Sequence, residues 1–410
     1  MTTIQDPSGG PLVLDPYDYA FQDDPYPTYA RLRAEAPLYY NADLDFWAIT
    51  RHADVAAAFR DDATFSNRMG VSLDATAWSP HAYKTMSFLA LDGRDQQRLR
   101  SLVSKAFTPR RVRELTPQVQ ALTEKYLGLA LADGEEHDWI GEVAGKLPMD
   151  VISEMMGVPE SDRAEVRRLA DLVVHREEGI RDVPPAAMEA SLTLMTYYAE
   201  MVAQRRRRPT EDLTSALLEA ENDGDRLADE EVMAFLFLMV VAGNETTTKL
   251  LGNALFHLAQ HPEQRAEVFA RADDPALVVP WIEETLRHDT SSQMLARHLL
   301  RDYELDGVTA PAGSRAILVI GSANRDETVF TDPTRYDIHR SREELANIVS
   351  FGGGRHFCLG ANLARLEARI VLEEFVRRVR DFEVAGDRAR RVHSISVRGF
   401  ASLPVTVRMR

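Results

Sequence analysis

The chain contains a single cysteine, Cys358, within the glycine-rich segment FGGGRHFCLG of residues 351–360. Apolar residues at helical spacing follow directly, from Ala361 to Arg380. A thiol at a helix N-terminus, near Arg355 and His356, is expected to have a lowered pKa, because backbone N–H groups and positive charge stabilise its anion. The segment therefore predicts a thiolate, and its glycines let backbone amides approach the sulfur closely.

Three chemistries fit such a cysteine when it is judged alone. A lone cysteine is most often a buried structural residue, but the glycines and the helix start favour a functional thiol. A nucleophile needs a base, and His356 is the nearest candidate, yet no asparagine or aspartate is obviously placed to orient its imidazole. The third interpretation is an axial ligand to haem iron. A Cys–His hydrolase is therefore disfavoured, and other segments must support the haem ligand.

A second unusual segment, AGNETT at residues 242–247, interrupts an otherwise apolar helical pattern. Gly243 costs about 1 kcal/mol relative to alanine within a helix, and a threonine hydroxyl there tends to bond back to an earlier carbonyl. Two interpretations carry about equal weight. One is close helix packing over Gly243 with Glu245 solvated, and the other is a groove in which Glu245 and Thr246 meet a ligand.

Two further pairs of residues at helical spacing are weak signals. Glu284 and Arg287, at positions i and i+3, contribute only tenths of a kcal/mol if they are exposed. His257 and His261 are separated by four residues, a spacing that can bind zinc, but no glutamate follows His257 and no third ligand is near. We interpret these histidines as part of a solvated helix face.

The elements that would position these residues are mostly helical. A central helix is predicted from Asp229, as N-cap, to His261, with a length of about 45 to 50 Å. Asp306-Gly307 predicts a tight hairpin. We expect one mainly α domain over residues 1–410 with a small β-rich region. Its β-rich portions are predicted at about 36–52, 300–322 and 382–410, and its helical body at about 95–290 and 360–380.

Composition restricts the partners and the compartment. The 48 Lys and Arg residues against 64 Asp and Glu residues give a net charge of −16, which argues against nucleic acid as a partner. One cysteine cannot form an intramolecular disulfide, so a cytoplasmic, reducing compartment is predicted. The N-terminus shows no basic segment followed by an apolar stretch, and the most apolar run, Met233 to Gly243, has 11 residues. These features predict neither a signal peptide nor a membrane anchor.

The pattern Phe-x-x-Gly-x-His-x-Cys-x-Gly is complete at Phe351, Gly354, His356, Cys358 and Gly360. On this motif, and on the AGNETT segment and the Glu-x-x-Arg pair, the chain resembles the cytochrome P450 family over nearly its whole length. The resemblance implies a P450 fold that holds haem b between the long central helix and the cysteine loop. It also implies that Cys358 is the axial ligand of the haem iron.

The resemblance implies roles for individual residues as well. Glu245 and Thr246 match the acid and the alcohol that relay protons in the family. Glu284 and Arg287 match a buried ion-pair network, whose third member maps to Arg335, with Arg340 a weaker candidate. Gln96 replaces a usual histidine, so a weakened haem propionate contact is expected there. The residues expected around the haem are Phe351, Gly354, Gly360, Ala242 and Gly243, with Arg100, Arg297 and His356 as propionate donors.

The implied activity is insertion of one atom of O2 into an apolar, medium-sized organic substrate of terpenoid, steroid, fatty acyl or polyketide type. A peroxide-driven peroxygenase and a haem-binding carrier or sensor without turnover are the alternatives. The Glu245-Thr246 pair argues against the peroxygenase, because a peroxide-driven site does not need that relay.

The electron source is expected to be another protein, because the sequence contains no flavin or iron–sulfur module. Electrons from NAD(P)H would pass through a reductase and a ferredoxin or flavodoxin to a chain that is expected to be a monomer. An acidic electron carrier would dock on a local basic patch. The residues of this patch are Arg110, Arg111, Arg113, Arg355, Arg365 and Arg369.

Overall fold

Helices form most of the structure, a computed structural model that describes residues 12–132, 136–222 and 224–410. The prediction about a signal peptide falls partly on residues 1–11, which lie outside the described residues. The α-helices are α1 (Tyr19–Asp23), α2 (Tyr26–Glu35), α3 (His52–Ala58), α4 (Tyr83–Met86), α5 (Gly93–Val103), α6 (Pro109–Glu114), α7 (Thr116–Ala130), α8 (Leu147–Met156), α9 (Glu160–Val174), α10 (Pro185–Arg207), α11 (Leu213–Glu219), α12 (Asp229–Ala259), α13 (Pro262–Ala270), α14 (Val278–His288), α15 (Ile320–Ala323), α16 (Arg342–Leu345) and α17 (Ala361–Arg378).

The strands are short and form one five-stranded sheet and several smaller ones. They are β1 (Leu38–Asn41), β2 (Phe46–Ile49), β3 (Phe65–Ser66), β4 (His137–Asp138), β5 (Glu221–Asn222), β6 (Asp225–Arg226), β7 (Met294–Leu299), β8 (Tyr303–Leu305), β9 (Val308–Ala310), β10 (Arg315–Val319), β11 (Val379–Val384), β12 (Arg390–Arg391), β13 (Phe400–Ser402) and β14 (Pro404–Met409). The largest sheet has the order β1-β2-β10-β7-β3. This mainly helical architecture with small sheets confirms the predicted fold class.

The longest described helix, α12, has 31 residues and measures about 46 Å, because an α-helix rises 1.5 Å per residue. Its first turn is closed by Glu231, whose carboxylate accepts the backbone N–H of Ala228 at 2.9 Å. The predicted N-cap, Asp229, lies instead within the first turn. α12 packs against α8, α9, α10, α14 and α17, so it forms the centre of the main hydrophobic core.

The hairpin prediction at Asp306-Gly307 is confirmed. Asp306 and Gly307 have φ angles of 51° and 78° between β8 and β9, as a two-residue turn with left-handed central residues requires. β10 then pairs in parallel with β2 through Ile317 and Ala48. Two β-rich portions that are far apart in sequence therefore share one sheet.

The interpretation of His257 as solvated is wrong. His257 is buried, its Nε2 lies 2.9 Å from Asp289 Oδ2, and its ring stacks on Tyr336. His261 is partly buried, and its Nδ1 lies 2.7 Å from the His257 carbonyl oxygen. The face carrying both histidines therefore packs against α14 and the following segments. Across the described ranges, no helix combines the length and apolar character that a membrane span requires.

Candidate active site

The Cys358 loop is fixed by a backbone hydrogen bond and by one glycine. The Cys358 N–H donates to the Phe351 carbonyl oxygen at 2.9 Å, which closes the loop. Gly354 has a φ of 60°, and a Cβ at this position would collide with the Phe59 carbonyl oxygen. Only glycine fits this turn without strain. Because α17 begins at Ala361, the sulfur lies at the N-terminal end of that helix.

A cavity lies between this loop and α12. Together with its opening to solvent, this cavity has a volume of about 1480 Å³, and the accessible surface of Cys358 faces it. The cavity brings together predicted site residues from four distant parts of the chain. These are Arg100, Ala242, Gly243, Thr246, Arg297, Phe351, His356, Cys358 and Gly360.

The prediction of a lowered thiol pKa is wrong for the protein alone. Burial raises the pKa of Cys358 above its ordinary value, although the N–H groups of Gly360 and Ala361 and the Arg100 guanidinium act in the opposite direction. A bound metal ion deprotonates a coordinating thiol, because its positive charge stabilises the thiolate directly. The site therefore suits a thiolate that forms together with its metal.

Three basic side chains converge on the same cavity. Burial lowers the pKa of Arg297 to about 10, and burial, reinforced by the charge of Arg297, lowers that of His356 to about 4. Arg100 Nη1 and His356 Nδ1 are buried and have no hydrogen-bond partner among the described residues. Unpaired buried donors are costly, so this set fits an anionic group that enters the cavity. Together with Cys358, these residues fit haem, which carries two carboxylates and an iron.

Gln96, which is expected to contact a propionate, is not among the residues that line the cavity. Gln96 is 1% exposed, and its Nε2 donates to the Arg355 carbonyl oxygen at 2.9 Å. The amide therefore holds the backbone of the cysteine loop and does not line the central cavity. Gln96 and Gly354 instead border a separate cleft beside the loop.

Glu245 and Thr246 lie in different environments on α12. Thr246 lines the cavity, and its Oγ1 donates to the Ala242 carbonyl oxygen at 2.8 Å. Glu245 is buried behind the cavity wall, with its Oε2 at 3.0 Å from Lys249 Nζ. A solvated Glu245 is excluded. The structure thus places an alcohol inside the cavity and a buried, ion-paired acid next to it in the chain.

The assignment of Arg335 to the buried ion-pair network is wrong. Glu284 and Arg287 are fully buried and bond at 2.7 and 2.8 Å. The third member is Arg340, whose Nε lies 3.1 Å from Glu284 Oε2. A tight turn, in which the Arg335 N–H donates to the Asp332 carbonyl oxygen, directs the Arg335 side chain to solvent. Only the Arg335 carbonyl oxygen reaches Arg287, at 3.0 Å.

Sequence analysis missed Glu367, a buried carboxyl on α17 that lines the cavity. Burial raises its pKa to about 8, and it has no hydrogen-bond or ion-pair partner among the described side chains. A signal was present, because Glu367 lies four residues after Leu363 and four before Val371, on the apolar face of the helix.

Comparisons with known proteins agree with this geometry. The family model described as cytochrome P450 matches residues 179–273 and 276–406. Cytochrome P450 123 of Mycobacterium tuberculosis is 58% identical over 399 residues, which are 97% of this chain and 98% of that protein. The vitamin D(3) 25-hydroxylase of Pseudonocardia autotrophica is 36% identical over 400 residues, 96% of each chain. The solved structure of CYP109Q5 from Chondromyces apiculatus has a TM-score of 0.86 and 34% identity, covering 97% of this chain and 98% of that one.

Proposed function

The chain belongs to the cytochrome P450 family, and we propose that it oxidises apolar, medium-sized organic compounds with electrons from a separate redox protein. As a member of the family, it is a haem b monooxygenase. The substrate class, the electron donor and the roles of individual residues are the proposal. The observation that carries it is a cavity in which the only cysteine faces largely apolar walls.

Cys358 would ligate the haem iron, and Arg100, Arg297 and His356 would bind the propionates. Bound haem supplies the activation of O2, which a thiolate ligand promotes by donating electron density. The N–H groups of Gly360 and Ala361 stabilise negative charge on the sulfur. Phe351 packs under the Arg365 guanidinium, 4.5 Å from the ring centre, and so keeps the loop against α17.

Thr246 and Glu245 would deliver protons to the cavity. The Thr246 hydroxyl donates a hydrogen bond to the Ala242 carbonyl oxygen. Its own oxygen therefore remains free to accept a hydrogen bond from a water in the cavity. Glu245 is the buried acid next to it, and the Lys249 ammonium balances its negative charge. Protons would therefore reach the Thr246 oxygen from the Glu245 side of α12.

The cavity wall indicates the substrate class. An apolar ligand is favoured there, because burial of apolar surface contributes about 25 cal/mol per Å². One relative is, by its name, a hydroxylase of vitamin D(3). We propose a terpenoid, steroid, fatty acyl or polyketide-type substrate. The apolar residues that form much of the wall are Phe88, Leu89, Ile152, Leu238, Met239 and Leu295.

The first test is the absorption spectrum of the haem-loaded protein, reduced with dithionite under carbon monoxide. A long-wavelength Soret band is expected, and Cys358→Ser should lose it while it retains the fold by circular dichroism. A short-wavelength band in the wild type would overturn the assignment of Cys358.

The substrate class is then tested with palmitic acid, testosterone and β-ionone, of which at least one should shift the spin state. Binding without O2-dependent product would identify a carrier.

The electron donor would dock beside Arg113, Arg365 and Arg369, which border one groove between α6, α14 and α17. Arg365 is neutralised by Glu283 at 2.6 Å, whereas Arg113 makes no ion pair within the described part of the chain. Arg113→Glu is therefore expected to slow reduction by an acidic ferredoxin and to reduce its salt dependence. Arg207→Glu, on α10, is the control, and equal rates for both variants would contradict this docking site.

A further inference from the structure

An additional carboxyl group contacts the proposed proton relay from a different helix. Asn244 Nδ2 on α12 donates to Asp171 Oδ1 on α9 at 3.5 Å, and this contact brings the Asp171 carboxyl within electrostatic range of Glu245, the next residue of α12. Glu245 and Lys249 are only 3% and 4% exposed. Asp171 keeps solvent-accessible surface on α9, while its carboxyl group lies largely among protein atoms. It therefore lies between a buried acid and the solvent.

The surroundings of Asp171 favour its protonated form. The pKa of Asp171 is raised to about 8, first by burial of its carboxyl group and then by the negative charge of Glu245. Lys249 on α12 and Arg167 on α9 act in the opposite direction but do not cancel this effect. At neutral pH the Asp171 carboxyl therefore holds a proton next to the Glu245 side chain.

A second observation points to a hydrogen-bond path at the same place. Asn244, which donates to Asp171, is 1% exposed, and its Oδ1 is buried without a hydrogen-bond partner in the described structure. An unpaired buried acceptor is costly and is typically satisfied by an ordered water. The cluster therefore has an acid at the surface, an acid in the interior and an acceptor that fits a bridging water.

We propose that Asp171 is the solvent-side proton donor of this enzyme and acts on the reaction through Glu245. This inference rests on the proposed role of Glu245 and Thr246. Asp171 transfers its proton to the Glu245 carboxylate, Glu245 releases a proton toward the Thr246 oxygen, and Asp171 regains one from solvent water. One proton enters and one leaves, and no electrons move. The transfer requires α9 and α12 to stay in contact at this point.

The test compares Asp171→Asn, Asp171→Glu and Glu165→Gln in the haem-loaded protein. Glu165 is an exposed α9 residue that pairs with Arg168 within its own helix, so its variant is a matched control. NADPH consumption is measured through a surrogate reductase and ferredoxin, below and above pH 8, in the presence of whichever of palmitic acid, testosterone and β-ionone shifts the spin state of the wild type. Asp171→Asn should lower the rate about tenfold, less than the ~10² to 10⁴ of a direct acid, because water partly replaces the carboxyl.

The pH profile separates proton donation from a structural role. The wild-type rate should fall as the pH rises through about 8, where Asp171 loses its proton, and the asparagine variant should lack this fall. Asp171→Glu should restore most of the rate. In the infrared spectrum at neutral pH, protonated-carboxyl C=O absorption is expected from both Asp171 and Glu367. The Asp171 component should be missing from Asp171→Asn and present in Glu165→Gln.

Two results would overturn the inference. One is an Asp171→Asn variant with the wild-type rate and pH profile, and the other is an unchanged carboxyl band. Failure of the proposed function is a different outcome, because the wild type itself would then lack the long-wavelength carbon monoxide band.

Discussion

Arg340 and Arg335 allow a paired test of the buried ion-pair network. Glu284 is fully buried and accepts hydrogen bonds from Arg287, from Arg340 and from the backbone N–H of Asp337. Arg340→Leu removes one of its two guanidinium partners. Arg335→Leu changes a side chain that is 66% exposed and lies 3.8 Å from Asp337.

The expected magnitudes differ clearly. Removing one partner of a buried ion pair costs roughly 3 to 5 kcal/mol, because the other charge is left without compensation. Arg287 still pairs with Glu284, so we expect the lower end, about 3 kcal/mol, a factor of about 150 in the unfolding equilibrium constant. An exposed pair such as that of Arg335 contributes about 0 to 1 kcal/mol.

Urea unfolding of the haem-loaded protein measures both variants, with circular dichroism and the Soret band as separate probes of backbone and cofactor. The midpoint for Arg340→Leu should fall strongly, and haem should be released at lower urea than in the wild type. Equal midpoints for the two variants, or a larger effect of Arg335→Leu, would refute the role of Arg340 and the argument from burial behind it.

Two further predictions concern the loop and the cavity. Gly354→Ala should weaken haem retention during gel filtration, because its Cβ would collide with the Phe59 carbonyl oxygen, whereas Gly386→Ala should retain haem, because its Cβ would meet only Phe256 at 3.9 Å, outside the cavity. Equal retention would contradict this reasoning. Glu367→Gln should gain stability over the wild type as pH rises, because the folded wild-type carboxyl holds its proton to about pH 8 while the unfolded one loses it near 4.5. Wild-type stability therefore falls with rising pH across this window, and parallel urea midpoints at about pH 5 and pH 9 would count against it.

Features that depend on local chain geometry were predictable from the sequence. The Asp306-Gly307 turn needs two left-handed residues, and α12 ends just before His261-Pro262 because proline does not continue a helix. The cysteine loop also follows from local rules, since Gly354 is required by its positive φ. These signals lie within a few residues of the structure that they specify.

Features that depend on distant partners were not predictable in the same way. Nothing near Arg335 shows that a turn at Asp332 sends its side chain to solvent, while Arg340 reaches Glu284. His257 looks solvated until Asp289 is placed against it. A glutamine amide can donate a hydrogen bond to a propionate, but Gln96 Nε2 donates to the Arg355 carbonyl oxygen in the structure. In each case the deciding contact joins residues far apart in sequence.

Burial also explains why the cavity favours a charged cofactor over an empty state. It raises the pKa of the Cys358 thiol and lowers those of Arg297 and His356, so each group is shifted toward its neutral form. A ligand that brings an iron to the sulfur and carboxylates to the basic side chains reverses all three shifts together, because opposite charges meet in a medium of low dielectric. Haem binding should therefore stabilise the fold as well as supply the chemistry.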